Sequence, residues 1–170
     1  AWYGGSRAGS GLADVLFGTV NPSARLPFSG PVDEADLPPF DRDATSFRYD
    51  RWHGWWHLGR TGTAAAFPFG FGLSYTSFEV SKVRVDVTAD GIVARGEVTN
   101  NGDRAGAHVV QVSAVLPDPE APPRLAGFAR VEVAAGDRRS FEIAVPLDRF
   151  ATRDTAARGW RSPTGIHRIV

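Results

Sequence analysis

Three tryptophans lie close together in the segment Trp52-His53-Gly54-Trp55-Trp56. A flat aromatic ring can pack against the C–H face of a sugar, and an indole ring adds one N–H donor. Trp52, Trp55 and Trp56 are therefore our candidates for substrate binding. The competing interpretation is that these rings pack a junction between domains, because clustered aromatic residues also do this.

Two histidines in the same segment, His53 and His57, have a four-residue spacing that could place both imidazoles on one helical face for a metal ion. No glutamate lies between them, no third ligand follows at a suitable spacing, and Gly54 disfavours a helix. The chain has no cysteine, and the Gly70/Gly72 pair lacks the third glycine of a dinucleotide loop. We predict no metal site and no cofactor.

The residues between 31 and 50 are rich in proline and aspartate and show no hydrophobic period, which predicts a surface loop. Six carboxylates in it could include an acid/base pair for glycoside hydrolysis. Arginines at positions 42, 48 and 51 lie among them, so a solvated loop is the simpler interpretation. The residues are Asp33, Glu34, Asp36, Asp41, Asp43 and Asp50.

The overall charge excludes some classes of partner. The 19 basic and 19 acidic residues cancel, so nothing in the charge favours a nucleic acid or an anionic membrane surface. Neither a membrane span nor a signal peptide is present as written. Both a secreted and a cytoplasmic location fit this sequence.

The elements that would position these residues change character along the chain. Near the start, Ser10 could cap a short helix with Leu12, Val15 and Leu16 on one face, and Gly18 could end it. From Phe78 onward, short segments of alternating apolar residues are separated by turn residues. This pattern predicts an antiparallel β-sandwich.

A series of short motifs runs in order along the chain. The motifs are Ala1-Trp2-Tyr3, Leu12–Gly18, Asn21-Pro22-Ser23-Ala24-Arg25-Leu26-Pro27, Phe67–Thr76, Val98–Gly106, Val109–Val112, Leu125–Phe128 and Ala135-Gly136-Asp137. This series resembles glycoside hydrolase family 3, the β-glucosidase family. The early motifs resemble the end of the family's α/β sandwich domain, and the later ones resemble its third domain, which is fibronectin-III-like.

The resemblance implies a mostly β fold with three parts. These are a C-terminal remnant of an α/β sandwich domain over residues 1–48, an inter-domain connection over 49–76, and an immunoglobulin/fibronectin-III-like antiparallel β-sandwich over 77–170. It also implies that the chain is one portion of a longer polypeptide, and we interpret both ends as cut. A mature protein trimmed to this start is the alternative.

The family's enzymes are retaining, with an Asp nucleophile and a Glu acid/base. The resemblance places the nucleophile in an N-terminal barrel and the acid/base upstream of Ala1, so we assign no catalytic residue here. The expected partners are those missing domains and a β-linked glycoside, and a homo-oligomer is left open. The alternative function is a stand-alone immunoglobulin-like module that binds a carbohydrate or a protein.

Overall fold

A computed structural model describes residues 4–117, 123–162 and 164–170. The predicted motif Ala1-Trp2-Tyr3 lies outside these residues, as does most of the Pro-rich connection after Pro117. The described chain forms two compact units. Unit 1 runs up to Ala24 and includes Gly72–Val110 and Phe128–Ala144. Unit 2 comprises Arg25–Phe71, the described parts of Gln111–Gly127 and Val145–Val170.

The predicted N-terminal helix is present as α1, Ala8–Leu16, which follows a 3-10 turn at Gly5–Arg7. The predicted cap at Ser10 is wrong. The helix begins at Ala8 with Arg7 at the N-cap position, and the Ser10 hydroxyl donates back to the Arg7 carbonyl at 3.0 Å. Gly18 has a φ of +77°, which is the expected left-handed conformation after a helix end.

The segment between α1 and the sandwich strands has little regular structure. A two-residue strand β1, Gly30–Pro31, pairs antiparallel with β2, Ala65–Phe67. Between them lie a 3-10 turn at Glu34–Asp36 and a helix α2, Trp55–Thr61. The prediction of an irregular surface segment over residues 31–50 agrees with this arrangement.

Five longer strands follow, and they confirm the predicted alternation of short strands and turns. These strands are β3 Phe78–Thr88, β4 Gly91–Asn100, β5 Gly106–Val115, β6 Arg124–Val133 and β7 Arg138–Pro146. One sheet has the strand order β3-β4-β7. The second sheet includes the short terminal strand Arg168–Ile169, called β10, and has the order β10-β5-β6.

Strands β3 and β4 form an antiparallel hairpin, in which Phe78 lies opposite Asn100 at one end and Thr88 lies opposite Gly91 at the other. The pairing is interrupted by a register shift between Ser81 and Arg84, where Lys82 has a φ of +52°. Such a bulge bends an edge strand and discourages pairing with another chain.

The chain ends in several short elements. A 3-10 turn at Leu147–Phe150 leads to a hairpin of β8, Thr152–Asp154, and β9, Gly159–Arg161. The last strand β10, Arg168–Ile169, pairs with β5. No helix among the described residues is long and apolar enough to cross a membrane.

Each unit has its own buried apolar side chains. Those of unit 1 come from β4 to β7 and those of unit 2 come mainly from strands and from the 3-10 turn before β8. Unit 1 buries Ala94, Val98, Ala107, Val110, Val133, Phe141 and Ile143, and unit 2 buries Leu58, Val112, Ala114, Leu116, Ala126, Val145, Phe150 and Ala151.

Candidate functional site

The tryptophan cluster begins at a tight turn before α2. The Trp52 backbone nitrogen donates to Oδ1 of Asp50 at 2.7 Å, and Nδ1 of His53 lies 2.7 Å from the Asp50 carbonyl oxygen. Gly54 then takes a φ of +58°, a region that suits a residue without a Cβ. The helix therefore starts only at Trp55, and His53 lies outside it.

Two of the three candidate tryptophans make packing contacts within unit 2. The ring of Trp55 stacks on Phe69 with centroids 4.9 Å apart and planes inclined by 23°. Trp56 lies against Trp55 at 5.4 Å and donates its indole N–H to the Pro123 carbonyl oxygen at 2.7 Å. These contacts agree with the packing interpretation for Trp55 and Trp56.

Trp52 has a different environment. Its ring is half-buried and lies beneath the guanidinium of Arg60 at 4.6 Å, with Arg51 at 5.4 Å. These distances are in the range of a cation–π contact. Trp52 lines an open cavity of about 490 Å³ in unit 2, and the lining of this cavity does not include Trp55 or Trp56.

That cavity is built from the irregular segment and the start of α2. Its wall contains aromatic rings, two prolines, two aspartates, two arginines and both histidines of the cluster. The lining residues are Pro38, Pro39, Phe40, Asp41, Phe47, Arg48, Tyr49, Asp50, Trp52, His53, His57, Arg60 and Thr61. His53 and His57 therefore line the same cavity as Trp52. No group of three or more metal-ligating side chains occurs among the described residues.

Most of the six candidate carboxylates stabilise local turns. Asp33 and Asp36 cap the 3-10 turn reciprocally, because Oδ1 of Asp33 accepts from Ala35 at 2.9 Å and Oδ2 of Asp36 accepts from Asp33 at 3.2 Å. Asp41 accepts from the Asp43 backbone nitrogen at 2.9 Å. These contacts are those of turn-capping residues.

In unit 1, one asparagine connects three of the sequence motifs, a role that no local pattern predicted. Oδ1 of Asn21 accepts from the Ser74 hydroxyl at 3.0 Å and from the Tyr75 backbone nitrogen at 2.9 Å. Its Nδ2 donates to the Ala105 carbonyl at 3.0 Å. The Tyr75 hydroxyl donates to the Val15 carbonyl of α1 at 2.6 Å, so helix, turn and strand motifs are joined.

A second asparagine, Asn100 at the end of β4, is buried with 1% of its surface exposed. Its Oδ1 accepts from the Thr76 hydroxyl at 2.5 Å and from the Gly102 nitrogen at 3.1 Å. Its Nδ2 donates to the carbonyls of Arg104 and Val133 at 2.8 and 3.2 Å. All the hydrogen-bonding capacity of this buried amide group is used, as its burial requires.

Glycines in the Phe67–Thr76 motif allow a close approach in unit 2. The Gly70 nitrogen donates to the Leu26 carbonyl and the Leu26 nitrogen donates to the Phe71 carbonyl, each at 2.8 Å. Gly70 has a φ of +81°, and a Cβ placed there would lie 2.6 Å from Oε1 of Gln111. Glycine is therefore favoured at this position mainly by its backbone angle, because the end of the Gln111 side chain could move away from an added Cβ.

Two family matches define the class of protein that this arrangement belongs to. Residues 1–75 match the family described as the glycosyl hydrolase family 3 C-terminal domain, and residues 108–170 match the fibronectin type III-like domain. The chain belongs to glycoside hydrolase family 3. It carries the end of the family's C-terminal α/β domain followed by a fibronectin-III-like domain, as the resemblance implied.

Individual relatives agree with this assignment. The chain is 36% identical over 185 residues to "Probable beta-glucosidase H" of Aspergillus clavatus, a match that covers 100% of the chain and 22% of the relative. Among solved structures, the β-glucosidase of Kluyveromyces marxianus has a TM-score of 0.88 and 32% identity, covering 99% of this chain and 21% of that one. The β-glucosidase DesR of Streptomyces venezuelae, solved with D-glucose, has a TM-score of 0.81 and 31% identity over 92% of this chain and 22% of its own. The chain thus spans about a fifth of the length of these relatives.

Proposed function

We propose that the chain is the C-terminal, non-catalytic portion of a retaining, exo-acting β-glucosidase. The whole enzyme would remove terminal sugars from β-glycosides, and this portion would support its catalytic domains. The observation that carries the proposal is that 92% to 100% of the chain matches about a fifth of the length of β-glucosidases from several organisms. The names of those relatives describe them as β-glucosidases, and for this protein the same activity is part of the proposal.

Hydrogen bonds within unit 1 support the proposed structural role. Asn21 joins the end of the α/β segment to the Phe67–Thr76 motif and to the turn after β4. A segment with one nine-residue helix needs such connections, because it buries little apolar surface of its own. We propose that these hydrogen bonds fix the fibronectin-III-like strands to the end of the α/β domain.

The two catalytic carboxylates would come from domains outside these 170 residues. Within the chain, Asp33, Asp36, Asp41 and Asp50 accept hydrogen bonds from neighbouring backbone nitrogens, as turn-capping residues do. The missing barrel and the rest of the α/β domain are therefore the proposed partners, with a β-linked glycoside as the substrate. We further propose that the fibronectin-III-like portion could take part in the assembly of a homo-oligomer.

The boundaries of the parts are also proposed. We place the α/β remnant in residues 1–48, the connection in 49–76 and the fibronectin-III-like sandwich in 77–170. Substrate binding by Trp52, Trp55 and Trp56 stays a prediction. Trp52 is the best placed of the three because it lines the cavity, while Trp55 and Trp56 pack against Phe69 and Pro123.

The alternative of a stand-alone binding module is not favoured. A free sandwich domain would not need the first 75 residues, which match the family's α/β domain instead. The test is to assay 4-nitrophenyl β-D-glucopyranoside with the full-length protein and with the 170-residue chain. We expect turnover by the full-length protein alone. Hydrolysis by the chain, or none by the full-length protein, would overturn the proposal.

A further inference from the structure

The cavity in unit 2 has a wall that is unusually rich in exposed aromatic rings. Phe40, Phe47 and Tyr49 are 69%, 63% and 65% exposed. Their rings meet edge to face, with centroids 6.4 Å apart for Phe40 and Phe47 and 5.0 Å apart for Phe47 and Tyr49. Edge-to-face contacts hold the rings in place while their surfaces stay open to solvent.

The polar groups of the cavity are balanced in charge. The carboxylates of Asp41 and Asp50 offset the guanidinium groups of Arg48 and Arg60. The imidazoles of the two histidines also line the cavity. An anionic or cationic ligand would gain little from such a wall. A neutral ligand with many hydroxyl groups could instead use both donors and acceptors.

The aromatic platform is better assigned to Tyr49 than to Trp52. The guanidinium of Arg60 lies 4.6 Å from the Trp52 ring centroid, so this cation covers a ring face that a sugar would need. Tyr49 is 65% exposed, and its ring contacts Phe47 and His53 at 5.0 and 6.1 Å. Tyr49 therefore offers an open ring held from two sides.

We propose that this cavity is a non-catalytic binding site for a neutral saccharide, with the C–H face of one sugar ring stacked on Tyr49. Asp50 and Arg60 would exchange hydrogen bonds with the ring hydroxyls. One carboxylate oxygen of Asp50 already accepts a hydrogen bond from the Trp52 backbone nitrogen, and this bond holds the carboxylate in place. The choice of a β-linked glucosyl sugar rests on the proposed function, whereas the preference for a neutral polyol rests on the cavity itself.

The test is isothermal titration of the 170-residue chain with cellotriose, and with inorganic phosphate as the anionic probe. We expect cellotriose to bind, and we expect phosphate neither to bind nor to compete. Tyr49→Ala should weaken binding by about tenfold or more, while Tyr49→Phe, which keeps the ring, should stay within about threefold of the wild type. Trp160→Ala is the matched control, because Trp160 is 72% exposed and does not line the cavity.

Near-ultraviolet circular dichroism shows whether each variant keeps the fold. Absence of cellotriose binding by the folded wild-type chain would overturn the proposal, as would equal binding by the Tyr49→Ala chain or binding of phosphate in place of the sugar. These results are independent of the hydrolysis assay. A chain that binds sugar although the full-length protein hydrolyses no β-glucoside would contradict the proposed function and leave this site standing.

Discussion

The side-chain oxygen of Asn21 lies 2.9 Å from the backbone nitrogen of Tyr75, although 54 positions separate the two residues in the chain. The same oxygen accepts from the Ser74 hydroxyl, and the amide nitrogen of Asn21 donates to the Ala105 carbonyl. Three motifs that are far apart in the sequence therefore meet at one side chain.

The first prediction concerns this hydrogen-bonding centre. Asn21→Ala removes three hydrogen bonds that are partly exposed, so we expect the free energy of unfolding to fall by about 1–2 kcal/mol. Asn101→Ala is the control, because the Asn101 side chain is exposed and its Nδ2 makes only a 3.4 Å contact with Glu79. Urea unfolding of the two variants measures the difference. Equal losses in both would show that Asn21 has no special role.

The buried Asn100 should be more sensitive than Asn21. Asn100→Ala leaves the carbonyls of Arg104 and Val133 and the Thr76 hydroxyl without their partner, and these hydrogen bonds are buried or partly buried. We expect a loss of about 2–4 kcal/mol in the free energy of unfolding. Thermal unfolding of the two alanine variants side by side checks the order. A loss below that of Asn21→Ala would contradict this account.

Two glycines should respond in opposite directions to alanine. A Cβ at Gly96 in β4 would lie 2.7 Å from Cζ of Phe141 and 3.0 Å from the Ser81 carbonyl oxygen, so Gly96→Ala should destabilise by about 1–3 kcal/mol. Gly11 lies inside α1 with open space around it, and Gly11→Ala should stabilise by about 0.5–1 kcal/mol. Denaturation midpoints give both signs. The same sign for both variants would refute the packing argument.

A pH effect is expected at Glu97 on β4. Nζ of Lys82 donates to its Oε2 at 2.8 Å, and Nη1 of Arg138 lies 4.0 Å away. The Lys82 hydrogen bond, aided by the two positive charges, outweighs desolvation and lowers the pKa of Glu97 below its ordinary value. A lowered pKa stabilises the fold above the unfolded-state value, about 4.3, and this stability is lost as the pH falls through the folded-state pKa.

The measurement compares the wild type with Glu97→Gln at several pH values. The wild type should be the more stable at neutral pH. The difference in stability should shrink once the pH falls below the pKa of an ordinary glutamate. The side chains of Lys82 and Glu97 are 64% and 27% exposed, so dissolved ions can screen their charges. Added salt should therefore reduce the stability difference between the wild type and Glu97→Gln. A difference that does not change between neutral and acidic pH would argue against the ion pair.

Much of the fold was predictable from local pattern. The strands β4 to β7 were expected because Ile92, Ala94, Gly96 and Val98, and similar sets later, alternate with polar residues between turn signals. Such alternation depends on neighbours in the sequence only. The helix α1 was also expected, but its start was placed at Ser10 and not at Ala8, because a serine inside a helix has the same sequence signal as a cap.

Other features depend on contacts that no local pattern contains. The role of Asn21 depends on partners 53 to 84 positions away. Helix α2 was not predicted because Gly54 starts it with a positive φ, and this hid its beginning at Trp55. The aromatic residues of the Pro/Asp-rich segment were a usable signal for the cavity, but only the structure separates Trp52 from Trp55 and Trp56.

The most direct test of the central claim is to trap the glycosyl-enzyme of the full-length protein with 2,4-dinitrophenyl 2-deoxy-2-fluoro-β-D-glucopyranoside and to map the labelled peptide. A retaining enzyme accumulates this covalent intermediate on its nucleophile. We predict one labelled aspartate, and it should lie outside these 170 residues. A label on an aspartate or glutamate within residues 1–170 would contradict the claim that this portion supports catalysis without taking part in it.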